Sequence, residues 1–184
     1  MKKILTVALV LVTMLTLVAC GKSQDGLKVV EKFTAQQIGE WGSTQSPNDD
    51  SKGTATYDAA GDFTVVRVDG DTWGGIQSPV VTLDLTKQTY VAVQIKEVND
   101  LFKWTLKFVP SDPALEGHEW GLYLVEDNGM KWNKYVMVDV NEQLGEDLID
   151  LYGGKIEGVF WLWAVGAADA NVEVRSLTIF QGDF

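Results

Sequence analysis

From Leu27 onward, apolar and polar residues alternate with a period of two, and the apolar runs are short and bounded by Gly, Asn, Asp, Pro and Lys-Gln-Thr turn signals. This pattern predicts strands near 27–38, 54–58, 63–69, 78–85, 90–98, 103–109, 121–126, 134–140, 159–166 and 172–181. Only Leu144 to Tyr152 has the spacing for a helical turn or two. Roughly ten antiparallel strands at this density define an all-β domain, a β-sandwich or jelly roll, covering 27–184 as one unit. No internal repeat or low-complexity tract interrupts it, and Gln45 to Gly53 reads as one long polar surface loop.

The alternation also assigns faces, because successive strand residues point to opposite sides of the sheet. In Tyr90-Val91-Ala92-Val93-Gln94-Ile95-Lys96, the residues Val91, Val93 and Ile95 share one face, and Gln94 and Lys96 share the other. Trp104, Leu106 and Phe108 form the apolar face of Lys103 to Phe108, which makes Trp104 a core residue. The last strand changes phase between Val174 and Leu177, and a β-bulge there restores its inward face. In Val159 to Val165, Trp161 and Trp163 point one way while Phe160 and Leu162 point the other. Such a strand is either central and buried on both sides or carries an aromatic stripe on an open sheet.

The amino terminus adds a location. Met1-Lys2-Lys3 precedes an apolar run from Ile4 to Val18, and Leu17-Val18-Ala19-Cys20 follows. That is the layout of a signal peptide over residues 1–19, with an apolar segment short for a membrane span. Leu17 to Cys20 resembles the bacterial lipoprotein lipobox, in which the cysteine becomes the lipidated first residue. Cys20 is the only cysteine in the sequence, so neither a disulfide nor a Cys-based zinc site forms within one chain. One acyl chain anchors weakly, and the diacylglycerol that the lipoprotein resemblance implies meets the need for two. Residues 20–26 are then the lipidated cysteine and a short tether, whose six residues after Cys20 reach at most about 20 Å. The expected location is the extracytoplasmic face of a bacterial envelope.

Removing Lys2 and Lys3 leaves 13 basic against 26 acidic residues, a formal charge of −13. Such a surface repels nucleic acid and favours neutral ligands or cations. Catalytic constellations find little support. His118 is the single histidine, expected in a loop, and no Gly-x-Ser-x-Gly elbow accompanies it. The adjacent acids Glu126-Asp127 and Glu146-Asp147 lie in turn-like or helix-like contexts, unlike the paired strand carboxylates of a glycosidase. The chain is therefore expected not to be an enzyme.

Aromatic residues are the richer signal, with seven tryptophans in 184 residues. Trp41, Trp73, Trp120 and Trp132 are each flanked by polar or glycine residues near a strand end. Asp71-Thr72-Trp73-Gly74-Gly75-Ile76-Gln77-Ser78-Pro79 places an indole among turn residues, which suggests display, with Gly74 and Gly75 leaving room for a ligand over the ring. An indole stacks on the apolar C–H face of a pyranose while neighbouring polar side chains take the hydroxyls.

The run Asp71 to Leu85, then Tyr90 to Ile95, Trp104 to Lys107, Tyr135 to Val140 and the closing Val172 to Phe180, resembles the jelly-roll carbohydrate-binding modules of the galactose-binding-like fold. The similarity spans most of 27–181 and is diffuse, a strand order and a Trp-Gly-Gly-x-x-Ser-Pro stretch. It implies ligand binding in end loops or on the concave sheet. Trp73 and Trp41 are expected to stack on sugar, with Arg67, Gln94 and Lys96 as hydrogen-bonding partners. It also implies a structural calcium near the first and last strands. Ser176 stands where an Asp often precedes the closing residues, and Glu31, Asp49, Asp50 and Asp183 are the remaining candidate oxygen ligands. The function this implies is a non-catalytic, membrane-anchored capture of poly- or oligosaccharide for cell-surface enzymes or transporters. The alternatives are a structural or assembly lipoprotein that docks a protein through its aromatics, and a jelly-roll glycoside hydrolase.

Overall fold

The computed structural model describes residues 26–45, 50–70, 73–98, 103–123, 135–165 and 171–183. In chain order the strands are β1 (Lys28–Thr34), β2 (Gly42–Gln45), β3 (Lys52–Asp58), β4 (Phe63–Asp69), β5 (Trp73–Gln77), β6 (Val81–Asp84), β7 (Gln88–Val98), β8 (Lys103–Pro110), β9 (Trp120–Tyr123), β10 (Tyr135–Asp139), β11 (Lys155–Val165) and β12 (Asn171–Gly182). Helix α1 (Ala35–Gly39) follows β1, and α2 (Val140–Leu151) joins β10 to β11. The strands hydrogen-bond in the order β10-β7-β12-β4-β3-β2-β5-β11-β8-β9, with β1 added to β12 and β6 to β11. Every pairing is antiparallel. The fold is thus an all-β sandwich, with twelve strands among the described residues where the pattern predicted about ten.

One curled sheet makes both layers. The link between β3 and β2 is a single paired rung, Gln45 opposite Lys52, and there the sheet turns over. Inward residues of β4, β7 and β12 (Val66, Val93, Leu177) then join those of β5, β8 and β11 (Ile76, Trp104, Leu162) in one buried cluster. Trp104 is 0% exposed, as its strand alternation requires. The register of β12 on β7 shifts between Val174 and Ser176, so the bulge that the sequence phase called for is present. Leu177 and Ile179 are brought inward by it.

Backbone meets backbone at the turn-over point. A Cβ at Gly53 would lie 1.8 Å from the Gly75 carbonyl oxygen, and one at Gly74 would lie 2.6 Å from the Lys52 carbonyl carbon. Glycine is the residue that permits so close a crossing. Further along, β5 and β6 pair in turn with the same side of β11, separated by a corner. Three residues, Ser78 to Val80, oppose two on β11 between the Gln77–Trp161 and Val81–Gly158 pairs. Buried Ser78 bridges the irregularity, its N–H donating to the Phe160 carbonyl and its Oγ accepting from the Phe160 N–H, both at 2.9 Å. Pro79 and Val80 project outward, where a missing N–H costs nothing.

Four elements differ from the sequence expectation. The strand expected to run to residue 38 stops at Thr34, whose side chain caps α1. The Thr34 hydroxyl accepts from the Gln37 N–H, and the Gln37 side chain accepts from the Thr34 N–H, a capping box that overrides the alternation. Strand β2, not among the expected strands, ends at Gln45 where the expected loop begins, and β3 takes in that loop's last residues, Lys52 and Gly53. Most consequentially, Trp73 to Gln77 is not a loop but a central strand between β2 and β11. Helix α2 begins before the expected residues and is broken at Gly145 (φ 72°). Buried Asn141 pins it, accepting from the Thr89 N–H at 2.7 Å and donating to the Leu85 carbonyl at 3.0 Å.

Gly53→Ala is expected to destabilise the fold by about 2–3 kcal/mol through overpacking at a contact that cannot yield. Gly42→Ala, whose Cβ finds only ordinary contact with the Gln77 side chain, is expected to change stability by less than about 0.5 kcal/mol. Urea unfolding midpoints of the two variants check this.

Candidate functional site

The outer face of the second layer carries the aromatic site. Because directly opposed residues share a face, the rung Gly42–Gln77–Trp161–Lys107–Gly121 and the next, Thr44–Gly75–Trp163–Thr105–Tyr123, run across β2, β5, β11, β8 and β9. Trp73 begins the rung beyond, opposite Val165. On β11 the inward Phe160, Leu162 and Ala164 are buried, while Trp161 and Trp163 are only partly covered. Of the two explanations open to this strand, both hold in part: it is central, and its outer face is an aromatic stripe.

Trp73 joins that stripe. Its ring stacks on Trp161 with centroids 6.3 Å apart and planes at 21°, and meets Trp163 edge-on at 5.8 Å and 79°. Two rungs separate Trp73 from Trp161 in the ladder, so the rings approach by leaning along the strand over Gly75. A Cβ at Gly75 would stand 2.2 Å from the Leu162 carbonyl oxygen and 2.6 Å from the Trp163 Cβ. The glycines of Trp-Gly-Gly therefore make room for protein, Gly74 for β3 and Gly75 for the indoles, and not for a ligand above Trp73 as the sequence suggested. Thr44, on the other side of Gly75, is buried at 6% exposure.

Among the described side chains, the Lys107 ammonium stands over the stripe. Lys107 Nζ lies 5.8 Å from the Trp161 ring and 5.9 Å from the Trp163 ring, attracted by the negative ring faces. It also pairs with Glu119 Oε2 at 3.5 Å, both side chains about a quarter exposed at 26% and 28%. The indole N–H groups of Trp161 and Trp163 are covered and without an acceptor. Among the described side chains, the surface therefore offers ring faces and edges, with Gln77, Lys107 and Glu119 among its polar groups.

Glu119 is placed by the loop after β8. Asp112 caps the 3-10 turn Pro113–Leu115, accepting from the Ala114 N–H at 2.9 Å, and Leu115 anchors it in the core. Exposed His118 is in this loop, as expected, and its carbonyl accepts a hydrogen bond from the Tyr152 hydroxyl at the end of α2. Burial, and secondarily the charge of Glu119, push the Tyr152 hydroxyl above its ordinary value.

The other expected site residues do not converge here. Trp41 is not displayed: it is 8% exposed and packs edge-on against Phe33 at 5.3 Å, a core side chain beneath β1 and α1. Arg67 on β4 and Gln94 on β7 face outward from the first layer, away from Trp73, and Lys96 lies on β7 where the register with β12 steps over it. Glu31 is on β1, Asp50 precedes β3 and Asp183 follows β12. Among the described residues, no three His, Cys, Asp or Glu side chains come together to hold a metal ion. Cys20, Asp49 and Trp132 lie outside the described residues, and the side chain of Trp120 does too. No described helix is long and apolar enough to cross a membrane.

The class that fold and site define is an all-β sandwich with an aromatic outer sheet face. No protein-family model matches the chain, and no curated protein matches it.

The Tyr152 shift has a direct consequence. A hydroxyl held protonated in the fold contributes stability fully below its unfolded value of 10.0, lost as pH rises through the folded value. The alkaline decline in stability above about pH 10 should flatten in Tyr152→Phe. Urea midpoints between about pH 8 and 11 measure it; an unchanged decline would mean that other groups dominate.

Proposed function

We propose that this protein is a non-catalytic carbohydrate-binding lipoprotein, held at the extracytoplasmic side of a bacterial membrane through Cys20, that captures poly- or oligosaccharide on its outer sheet face. The observation that carries this reading is the cluster of Trp73, Trp161 and Trp163, mutually packed and partly exposed, with Gln77, Lys107 and Glu119 beside it. Rings packed against one another lose little freedom when a ligand arrives, so binding costs less ordering than a lone loop indole would. Pyranose C–H faces have a flat apolar platform to cover, and the amide and charged groups at its side can take hydroxyls.

Of the end loops and the concave sheet that the sequence expectation left open, this reading takes neither and uses the outer sheet face, and Trp73 remains in the site while Trp41 leaves it. Glu119, the carboxylate beside the indoles, is engaged with an ammonium, which suits binding more than acid catalysis. All described elements lie beyond Gly26, so the chain from Gly21 carries every one of them.

Affinity electrophoresis of that chain through gels containing soluble plant and microbial polysaccharides tests the proposal. At least one glycan should retard it, and Trp73→Ala and Trp161→Ala should each weaken retention by about tenfold or more, while Arg67→Ala on the other layer leaves it unchanged. Retention by none of the glycans, or retention indifferent to both indoles, would contradict it and direct attention to a protein partner for the aromatic face.

A further inference from the structure

The aromatic floor carries a cation, and the cation is already occupied. An ammonium beside exposed indoles is a ready counter-charge for a sugar carboxylate or sulfate, since charge-assisted hydrogen bonds to such groups are among the stronger polar contacts. Here Lys107 Nζ is 3.5 Å from Glu119 Oε2 while lying 5.8 and 5.9 Å from the two indole rings. Glu119 does not hang from a free loop. The preceding residue's carbonyl is held by the Tyr152 hydroxyl, and the His118 N–H donates to the Leu115 carbonyl at 3.0 Å, so the carboxylate is presented from a fixed backbone.

We infer that Glu119 is the specificity-determining residue of this surface: by holding the Lys107 ammonium, it makes the site take neutral glycan chains and reject acidic ones. The inference rests on the carbohydrate-binding reading above and adds the chemical class of the ligand. An acidic sugar placed over Trp161 would bring its carboxylate toward the Lys107 ammonium, within reach of which the Glu119 carboxylate already stands. Two carboxylates would then share one ammonium, on a protein whose formal charge is −11 even before any leader is removed. Like charge placed against the wrong ligand is how interfaces commonly discriminate. A neutral chain meets no such cost, because the ion pair keeps donors and an acceptor available to hydroxyls.

The test pairs two derivatives of one retarding polysaccharide at matched substitution, hydroxyethylated and carboxymethylated, in gels run at about 0.15 M salt, where charges beyond about 8 Å are screened. The parent chain should be retained by the hydroxyethyl form and weakly by the carboxymethyl form. Glu119→Gln should raise retention on the carboxymethyl form by about fivefold and leave the hydroxyethyl form within about twofold. Glu31→Gln, which removes one negative charge from the other layer, controls for net charge and should change neither. Lys107→Met should erase the gain when combined with Glu119→Gln. Discrimination unchanged in Glu119→Gln, or an equal gain in Glu31→Gln, would overturn the inference while leaving the carbohydrate reading intact. Absence of retention by every neutral polysaccharide would overturn that reading and this inference with it.

Discussion

Backbone crosses backbone where Gly53 of β3 lies against Gly74 and Gly75 of β5, at distances no Cβ could occupy. The rest of the molecule depends on that contact. It lets a single hydrogen-bonded sheet turn over with only one rung linking β3 to β2, so that two layers can enclose a core without a separate second sheet. It also draws β5 into a central position beside β11. On its other side, the same glycine pair leaves the notch over which the Trp73 ring leans toward Trp161. Closure of the sandwich and assembly of the aromatic face are therefore two results of one steric condition.

Strand β11 converts this geometry into a surface with chemistry. Its inward residues complete the core with Phe108 and Trp104 of β8, and its outward residues supply two of the three clustered indoles. A strand this rigidly embedded, paired along its length with β8 on one side and with β5 and β6 on the other, presents its side chains with little backbone freedom. Lys107 and Glu119 then set the electrostatics beside the rings. The proposed binding face thus sits on a strand paired on both sides, where pre-organisation reduces the cost of association.

Much of the fold was legible from alternation alone. Strands β4, β7, β8 and β12, the inward faces of Val91, Val93, Ile95 and Trp104, and even the bulge near Arg175 follow from where apolar residues change phase. Local rules failed where tertiary contact changed their meaning. Thr34 and Gln37 carried a capping box that alternation masked, and Trp73-Gly74-Gly75 looked like a turn because glycine serves turns and close crossings equally well. Trp41, among glycines and a glutamate, packs on Phe33 across α1, a contact that strand alternation had no means to foresee. Trp161 and Trp163 were visible as an outward pair, but choosing them required knowing that β5 lies beside β11. Lys107 and Glu119, twelve positions apart on a strand and a loop, carried no sequence signal that they would meet.

The most direct measurement of the central claim is a titration of the seven indole N–H resonances, assigned by single Trp→Phe substitutions, with a polysaccharide that retards the chain. The account predicts that Trp73, Trp161 and Trp163 shift together along one saturation curve while Trp41 and Trp104 stay fixed. Shifts confined to other tryptophans, or a Trp73 signal that moves without Trp161 and Trp163, would contradict a binding face built from the three packed indoles.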